Sequence, residues 1–381
     1  MTLVYLVAGE ESGDVLGAKL MVALMAARPG LDFAGVGGPR MQAEGLVPLF
    51  AQKELAVMGL LEVLPRLRHL RARLRETVAD ILARRPAVLV TIDSPGFTLR
   101  VLRGVAGHGI PRAHYVAPQV WAWREGRVKH FPGLWEKLLC LLPFEPEFFA
   151  RHGLAATFVG HPVLEAGLAE GDAARFRTQH GLEPDQRPLI VMPGSRRSEV
   201  SRLLPVFGET LARLAPVVPG LVPVVPVAHS VAEAVHAATA SWAVRPILVA
   251  DTVDKHDAFA AAAAALVKSG TSTLELALAG VPMVVGYRVN PLTAAIVRRL
   301  VKVKYAALVN LLAGREVVPE LIQENCTPPL LTKRLARLLT DPQEAAAQRM
   351  AFRDIAAGLA PPGMAPSRAA AAEVLALIDG R

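Results

Sequence analysis

Leu266-Val-Lys-Ser-Gly-Thr-Ser-Thr-Leu-Glu275 is the stretch of this 381-residue chain that decides the expected fold. Its first residues complete a short buried strand, Ala264 to Val267, which breaks at Ser269-Gly270 before small hydroxyl residues open a helix. Free N–H groups and the positive end of that helix suit a diphosphate, and Glu275, about one turn in, can accept from ribose hydroxyls. The alternative is an ordinary N-cap, because Ser and Thr open many helices that hold no ligand.

Length and composition exclude several classes of protein. A chain of 381 residues predicts two or three domains, and its 52% hydrophobic content excludes a disordered chain. Cys140 and Cys326 are far apart and neither belongs to a C-x-x-C pair, so neither a disulfide framework nor a zinc site is expected, and a reducing cytosol fits. The formal net charge of +8 points to nucleic acid, acidic lipid or phosphorylated substrates without choosing among them.

No signal peptide or membrane span is expected. The first residues lack a basic region, and Glu10, Glu11 and Asp14 interrupt the first apolar run. Uncharged stretches such as 258–267 and 276–287 are shorter than the roughly 20 residues of a spanning helix. We therefore expect a protein that does not cross a membrane.

Acidic residues follow two predicted strands in the first half of the chain. Leu3 to Ala8 is predicted as a buried parallel strand, and the loop Gly9-Glu-Glu-Ser-Gly-Asp14 follows it, as at the start of a doubly wound α/β domain. This loop is not G-x-G-x-x-G, and its carboxylates would repel a pyrophosphate. It therefore faces sugar hydroxyls or a proton to be removed, or it is an ordinary solvated turn. The strand Ala87 to Ile92 ends in Asp93-Ser-Pro-Gly-Phe97, which places Asp93 at the edge where open sheets bind ligands.

Aromatic and basic residues lie together after the next strand. The run His114-Tyr-Val-Ala-Pro-Gln-Val-Trp-Ala-Trp123 leads from a strand into a loop, and Arg124 follows it. Trp121 and Trp123 are expected to stack on a sugar or to lie at a membrane interface, while core packing is the alternative for one of them.

The segment from Glu62 to Arg85 is expected to form a basic amphipathic helix. Its leucines recur at helical spacing and its polar face is positively charged: Leu60, Leu61, Leu64, Leu67, Leu70 and Leu74, with Arg66, Arg68, His69, Arg71, Arg73 and Arg75. Such a helix either packs on the protein with a solvated basic side or lies on an anionic membrane. The pattern alone favours packing, since many surface helices show it.

The second half of the chain repeats the α/β pattern and offers a phosphate loop. The strand Leu189 to Met192 enters the loop Pro193-Gly-Ser-Arg-Arg-Ser-Glu199. Gly194 and Ser195 allow the backbone to approach a phosphate closely, and Arg196 can neutralise it. This loop adds a second candidate contact for a diphosphate.

Two α/β units joined by a polar linker at 164–185 describe a GT-B architecture, in which two Rossmann-like domains face each other across a cleft. Asn310 and Gln323 are candidate amide readers of a base, although most such amides are solvated loop residues. No D-x-D occurs in the sequence, so no metal is expected to hold the diphosphate, and arginine and helix ends would have to stabilise it.

Several motifs, in order along nearly the whole chain, resemble those of lipid-A-disaccharide synthases. They are Val7-Ala-Gly-Glu-Glu-Ser-Gly-Asp14, Gly37-Gly-Pro-Arg-Met41, Ala56-Val-Met-Gly-Leu-Leu-Glu-Val63, His114-Tyr-Val-Ala-Pro-Gln-Val-Trp-Ala-Trp-Arg124, Leu142-Pro-Phe-Glu145, Pro193-Gly-Ser-Arg196 and Pro282-Met-Val-Val-Gly-Tyr-Arg288. The motifs are long enough that a chance match is remote.

The resemblance implies an inverting, metal-independent hexosyltransferase of lipid A and lipopolysaccharide biosynthesis, with no cofactor. UDP-2,3-diacylglucosamine would donate its sugar to the 6-hydroxyl of 2,3-diacylglucosamine 1-phosphate (lipid X). The products would be a β-1,6-linked disaccharide 1-phosphate and UDP. Because the donor linkage is α and the product linkage is β, one base must take the hydroxyl proton.

The resemblance also implies a division of labour between the domains. Residues 1–165 are expected to form the acceptor and lipid domain, with the C-terminal helix at 365–381 packing back on it, and residues 172–356 to form the UDP-binding domain. The implied UDP-binding residues are Gly194, Ser195, Arg196, Ser269, Gly270, Thr271, Ser272, Thr273, Glu275, Arg288, Asn310 and Gln323. The expected substrate-binding residues of the first domain are Ser12, Gly13, Trp121 and Arg124.

Several residues are candidates for the base, because the chain departs from the family pattern at one position. Relatives often carry Asp-x-Pro-Asp-Phe where this chain has Asp93-Ser-Pro-Gly-Phe97, so no role of the second acid carries over to Gly96. Asp93, Glu11 and Asp14 are the candidate catalytic bases, and His114 stands behind them.

Acylated substrates change the interpretation of the basic helix. Because acyl chains prefer the bilayer, we expect Leu64, Leu67, Leu70 and Leu74 to dock the protein peripherally on the anionic cytoplasmic face of the inner membrane. No nucleic-acid partner is expected, and a homodimer is left open. The competing hypotheses are another GT-B UDP-sugar enzyme, such as an epimerase or a peptidoglycan-type transferase, and a non-catalytic lipid-binding protein.

Overall fold

The structure is a computed structural model that describes residues 2–55, 60–290, 294, 300–301 and 303–380, without the side chains of residues 60–66. The chain divides into two compact units, Met1–Pro162 with Leu359–Arg381, and Val163–Gly358. Apart from the backbone of its last four residues, the motif Ala56 to Val63 lies outside the described residues, as does the side chain of Leu64.

A parallel sheet forms the centre of the first unit. Over the described residues its seven strands are β1 (Thr2–Ala8), β2 (Leu31–Val36), β3 (Val47–Pro48), β4 (Val88–Ile92), β5 (Arg112–Tyr115), β6 (Lys137–Cys140) and β7 (Ala156–Phe158), in the order β3-β2-β1-β4-β5-β6-β7. The helices between them are α1 (Glu11–Ala27), α2 (Pro39–Ala43), α3 (Leu60–Arg84), α4 (Pro95–Val105), α5 (Val120–Trp123) and α6 (Glu145–Ala150).

The second unit is built on a parallel sheet of its own. Over the described residues its six strands are β8 (Arg187–Met192), β9 (Leu221–Pro226), β10 (Ile247–Val249), β11 (Ala264–Val267), β12 (Met283–Tyr287) and β13 (Glu320–Ile322), in the order β10-β9-β8-β11-β12-β13. Its helices are α7 (Ala173–Gln179), α8 (Arg197–Leu214), α9 (Ala232–Thr239), α10 (Thr252–Ala261), α11 (Ser272–Leu278), α12 (Leu308–Ala313), α13 (Pro328–Thr340) and α14 (Pro342–Ala357).

The last helix, α15 (Pro366–Ile378), belongs to the first unit and packs along α1. Ala370 and Val374 are fully buried in one apolar cluster with Val4 and Leu6 of β1. The far end of the chain therefore completes the core around its first strand.

The central strand β1 is buried on both sides, as its uninterrupted apolar run predicts. Val4 and Leu6 face the cluster that contains α1 and α15. Tyr5 and Val7 face the opposite cluster, where Ile81 of α3 also lies. Helices thus cover both faces of the sheet and leave its ends for a ligand.

Each sheet has a switch point beside its first strand. In the first unit β1 pairs with β2 on one side and with β4 on the other, and in the second unit β8 pairs with β9 and with β11. In open parallel sheets the loops diverge at such a point and leave a crevice at the carboxyl ends of the two strands. The candidate site residues lie in the loops after β1 and β4 and after β8 and β11.

Candidate active site

We call the loops after β1 and β4, residues 9–14 and 93–98, the acidic edge. The hydroxyl of Ser12 donates to a carboxylate oxygen of Asp93 over 3.3 Å. A Cβ on Gly9 would lie 2.9 Å from the hydroxyl oxygen of Ser94, so the glycine lets the two loops meet. The structure therefore brings Ser12 and Asp93 together across the switch point of the first sheet.

Asp93 has a strained backbone. Asp93 and Ser94 have φ angles of 49° and 45°, in the left-handed region that non-glycine residues seldom adopt. The N–H of Asp93 donates to the carbonyl of Tyr115, and the hydroxyl of Thr98 donates to the carbonyl of Asp93. Each such residue costs about 1–3 kcal/mol, and this kind of strain is concentrated at functional sites.

Asp14 is a structural carboxylate. It is 2% exposed and accepts hydrogen bonds from the backbone N–H groups of Gly38, Arg40 and Met41 at 2.8–3.0 Å. These groups open α2, so the carboxylate satisfies donors that the helix itself cannot. With both oxygens committed and buried, Asp14 is unsuited to the role of base that the sequence left open for it.

The other expected residues of this edge differ in exposure. Glu11 is exposed in the first turn of α1, whereas Gly13 is buried. A Cβ at Gly13 would lie 3.2 Å from the Cβ of Ala8, so this glycine lets α1 pack closely on β1. Glu11 can therefore reach a substrate, and Gly13 acts through packing.

His114 lies in the core and not at the edge. It is fully buried, stacks on Trp135 at 5.5 Å between ring centroids, and places Nδ1 2.8 Å from the hydroxyl of Thr91. Burial lowers the pKa of His114 to about 4. The expectation of a reserve base is thus corrected, because an imidazole enclosed in the core cannot reach a substrate hydroxyl.

The indole of Trp121 is hydrogen-bonded to a buried acid. Its indole N–H donates to Glu145 over 3.0 Å, and the other oxygen of Glu145 accepts from the N–H groups of Leu141 and Leu142. Burial raises the pKa of Glu145 to about 7. Apart from the motif that ends in Glu145, nothing in the sequence predicts this contact.

Arg124, which is expected to bind substrate together with Trp121, stacks on Trp123. Its guanidinium lies 3.9 Å from the ring centroid of Trp123, and both side chains are exposed. Trp121 is only half-buried. Trp123 and Arg124 therefore form the exposed pair of this segment, and substrate binding by Trp121 and Arg124 stays a prediction.

We call the loops after β8 and β11, residues 193–199 and 268–275, the basic edge. Gly194 has a φ of 115°, and a Cβ there would lie 2.2 Å from a carboxylate oxygen of Glu199. Lys268 donates to Glu199 over 3.2 Å, and the exposed side chain of Arg196 approaches the same carboxylate at 3.7 Å. Glu199 thus holds two cations at the switch point of the second sheet.

Lys268 and Glu199 were missed as site residues in the sequence. Lys268 stands inside the decisive stretch, directly after β11, where its position at the carboxyl end of a strand was a usable signal. Glu199 is 6% exposed and caps the first turn of α8 through the N–H of Arg196. Its burial depends on contacts that the sequence does not reveal.

The stretch from Ser269 to Thr273 forms the expected turn into a helix. Gly270 has a φ of 145°, and the hydroxyl of Thr273 donates back to its carbonyl. Within the part of the chain described, the N–H groups of Thr271 and Ser272 form no hydrogen bond. These amides are free to bind an anion beside Lys268.

Three of the expected nucleotide-binding residues, Glu275, Arg288 and Gln323, have partners within the protein. Glu275 forms an ion pair with Lys255 at 2.7 Å. Gln323 accepts from the N–H of Val289 at 2.7 Å, and Arg288 donates to the carbonyl of Gln323 at 3.3 Å. These contacts fix Arg288 and Gln323 just after β12 and β13, and Glu275 in the first turn of α11, while leaving part of their hydrogen-bonding capacity free.

Asn310 is fully buried and has no capacity left. Its amide nitrogen donates to the carbonyl of Val318 and to Glu320, and its oxygen accepts from the N–H groups of Val317 and Val318. The expectation of direct base reading is therefore corrected to one of support, because all four hydrogen bonds of this amide shape the segment before β13.

The expected docking leucines divide into two kinds. Leu67 and Leu70 are half-buried, and Leu74 packs against the core cluster that contains Ile81. Arg68 and Arg71 are exposed beside them.

No helix among the described residues is long and apolar enough to cross a membrane. The same residues include no group of three or more His, Cys, Asp or Glu placed to hold a metal ion.

Comparison with known proteins extends over almost the whole chain. The sequence profile of the lipid-A-disaccharide synthetase family matches residues 4–374. The lipid-A-disaccharide synthase of Gluconobacter oxydans is 58% identical over 377 residues, covering 99% of this chain and 91% of that protein. The corresponding protein of Granulibacter bethesdensis is 56% identical over 387 residues, covering 99% and 98%.

Solved structures share the fold at much lower identity. The glycotransferase of kitacinnamycin has a TM-score of 0.65 and 17% identity, covering 99% of this chain and 98% of that one. The UDP-GlcNAc 2-epimerase of Neisseria meningitidis, bound to UDP-GlcNAc, has a TM-score of 0.59 and 10% identity, covering 94% and 99%. Such identities speak for the fold alone, and with the two parallel-sheet units they confirm the expected GT-B class.

Proposed function

The chain belongs to the lipid-A-disaccharide synthase family, and from this membership we infer how its two edges divide the reaction. It is an inverting, UDP-sugar-dependent hexosyltransferase that moves 2,3-diacylglucosamine from UDP-2,3-diacylglucosamine to lipid X. The products are a β-1,6-linked disaccharide 1-phosphate and UDP. The observation that carries this function is the family match over residues 4–374.

We propose Asp93 as the general base. Of the four candidates, Asp14 and His114 are enclosed, while Asp93 is half-buried at the switch point and oriented by Ser12. A carboxylate held in this way can take the proton from the acceptor 6-hydroxyl as it attacks the anomeric carbon. Glu11, exposed on the same edge, is the second candidate.

We propose that the basic edge holds the diphosphate of UDP. Arg196, Lys268 and the free N–H groups of Thr271 and Ser272 supply positive charge and donors where negative charge develops on the leaving diphosphate. Glu275 lies one turn further into α11, in reach of a ribose hydroxyl on this arrangement.

We also propose that the protein works on the cytoplasmic face of the membrane, since both substrates are acylated. The basic helix α3 supports this assignment with the exposed Arg68, Arg71 and Arg75 beside the half-buried Leu67 and Leu70. Arginines attract an anionic surface, and apolar side chains can enter its boundary.

The function is tested by a mass-spectrometric assay with UDP-2,3-diacylglucosamine and lipid X in mixed micelles. The expected products are the disaccharide 1-phosphate and UDP. A parallel reaction with water-soluble UDP-N-acetylglucosamine alone examines the epimerase alternative. Turnover in that reaction, or no disaccharide from the two lipids, would contradict the proposal.

Membrane docking has a separate test. Replacing Leu67 and Leu70 with Ser should lower sedimentation with anionic vesicles several-fold, because the helix loses apolar area but keeps its charge. Leu330→Ser, on an exposed leucine of α13, is the matched control. Equal sedimentation of all three proteins would rule out docking through α3.

A further inference from the structure

A basic pocket lies in the first unit, beside the acidic edge. It encloses about 510 Å³ between the first two turns of α4 and the 3-10 segment Glu125–His130. Leu99 and Phe131 give it an apolar floor. The remaining lining includes Gly96, Arg100, Arg103, Arg127 and His130.

The ionisable side chains that line this pocket are all basic. Gly96, Arg100 and Arg103 recur at helical spacing on one face of α4, and Arg127 approaches from the 3-10 segment. Among the residues that the structure describes, no carboxylate lines the pocket, and neither Arg103 nor Arg127 forms an ion pair. Clustered guanidinium groups repel one another, and an anion with several oxygens relieves that repulsion through paired hydrogen bonds.

Gly96 leaves the mouth of the pocket open and uncharged. A Cβ built at Gly96 meets no atom within 4 Å. Arg100 donates to the carbonyl of Gly96. The first turn of α4 therefore adds neither a side chain nor a negative charge at this point.

The location ties the pocket to the reaction. Pro95 and Gly96 follow the proposed base Asp93 within three residues, at the positive end of α4. The acceptor carries its attacking hydroxyl on carbon 6 and its phosphate on carbon 1 of the same sugar ring. A ring whose hydroxyl faces Asp93 would direct its phosphate away from that carboxylate, toward a neighbouring cationic surface.

We propose that the basic pocket binds a phosphate monoester and, in the reaction, holds the 1-phosphate of the acceptor. The second part rests on the proposed function. Arg103 and Arg127 bind the phosphate oxygens, and Leu99 with Phe131 contacts the apolar side of the sugar. The pocket thus selects an acceptor that is phosphorylated at carbon 1 and positions its hydroxyl at Asp93.

The main test is equilibrium binding of lipid X and of the same molecule without its phosphate, both in detergent micelles. The double variant Arg103→Gln, Arg127→Gln should bind lipid X about 10- to 100-fold more weakly, since it loses two charge-assisted contacts. Its affinity for the unphosphorylated molecule should not change. Arg334→Gln with Arg353→Gln, both exposed in the second unit, makes the same change in net charge and should match the wild type. Equal loss for both ligands, or no loss, would overturn the proposal.

A second variant adds charge without disturbing the fold. Gly96→Asp places a carboxylate in the open space beside Arg100, and Gly96→Asn is its neutral counterpart. An acid in the first turn of a helix is favourable, so folding is retained. The aspartate should lower affinity for lipid X several-fold relative to the asparagine, and equal affinities would count against the pocket.

Two further measurements separate the source of the phosphate and the two proposals. In the first measurement, the double variant is tested for binding to vesicles of phosphatidic acid. If it no longer binds these vesicles but still binds lipid X, the pocket holds a membrane headgroup and the acceptor assignment is wrong. In the disaccharide assay the KM for lipid X should rise while kcat holds. If the wild type binds lipid X through its phosphate but forms no disaccharide, the proposed function is wrong and the phosphate-binding pocket is still supported.

Discussion

The acidic edge of the first sheet and the basic edge of the second occupy equivalent places in two sheets of the same kind. Each edge lies beside the first strand of its sheet, at the point where the strand order reverses. In the first sheet β1 lies between β2 and β4, and in the second sheet β8 lies between β9 and β11. One edge carries the carboxylates of Glu11 and Asp93, and the other carries the cations Arg196 and Lys268 with free backbone amides. The fold thus supplies the place, and the side chains of the loops supply opposite chemistry.

The buried acids of the two edges sharpen this contrast. Asp14 and Glu199 both stand in the first turn of the helix that follows the first strand, and both are almost fully buried. Asp14 binds the backbone at the start of α2, whereas Glu199 binds Lys268 and Arg196. At this position, therefore, Asp14 fixes the start of α2 in the first unit, and Glu199 orients Lys268 and Arg196 in the second.

The largest effect is expected at Asp93. Asp93→Asn keeps the size of the side chain but removes the base, so kcat should fall about 100- to 10,000-fold. UDP affinity, measured by calorimetry, should be unchanged because the basic edge is intact. Glu11→Gln on the same edge should lose less than about tenfold. A larger loss in Glu11→Gln than in Asp93→Asn would move the base to Glu11.

Asp14 is expected to affect stability and not chemistry. Asp14→Ala leaves the buried N–H groups of Gly38 and Met41 without an acceptor, which should lower the free energy of unfolding by about 3 kcal/mol. Urea denaturation measures this change, with the exposed Glu11→Ala as control. A stable Asp14→Ala protein with greatly reduced kcat would show that Asp14 is catalytic.

At the basic edge, Arg196→Ala and Lys268→Met should each weaken UDP binding about 10- to 100-fold. Lys268→Met should also lower the melting temperature, because Glu199 loses the nearer of its two cationic partners while remaining buried. Adding Glu199→Gln to Lys268→Met should recover the melting temperature but not the affinity. Recovery of both would make Lys268 a purely structural residue.

The smallest effect concerns Glu145 and pH. Because burial raises the pKa of Glu145 to about 7, the folded protein binds a proton that the unfolded chain releases near its ordinary value of 4.5. Relative to Glu145→Gln, the free energy of unfolding should therefore fall as pH rises from about 4.5 to about 7. Parallel curves for the two proteins across this range would contradict the raised pKa.

Local pattern was sufficient to predict the strands and the loops of both edges. The expected strand Ala264 to Val267 is β11, and Leu3 to Ala8 lies within β1. Asp93 was placed correctly at the carboxyl end of a strand because continuous apolar runs between turn residues define parallel strands directly. What each edge binds, and that the two units face each other across a cleft, stays a prediction.

The roles of several polar side chains could not be predicted, because they depend on contacts between distant segments. Asp14 is committed by the N–H groups of 38–41, and Asn310 by the chain at 317–320. His114 is enclosed by Trp135, which comes from the following strand connection. A sequence shows that such residues are polar, but only the folded chain shows whether their hydrogen bonds are already used.

The position of α15 bears on how the protein is made. Because Ala370 and Val374 belong to the same cluster as Val4 and Leu6, the core around β1 cannot be completed until the codons of α15 have been translated. The whole second unit emerges in the interval and can fold on its own schedule. Chains released early would therefore carry a finished second unit beside an open apolar surface, which makes them natural substrates for chaperones and proteases.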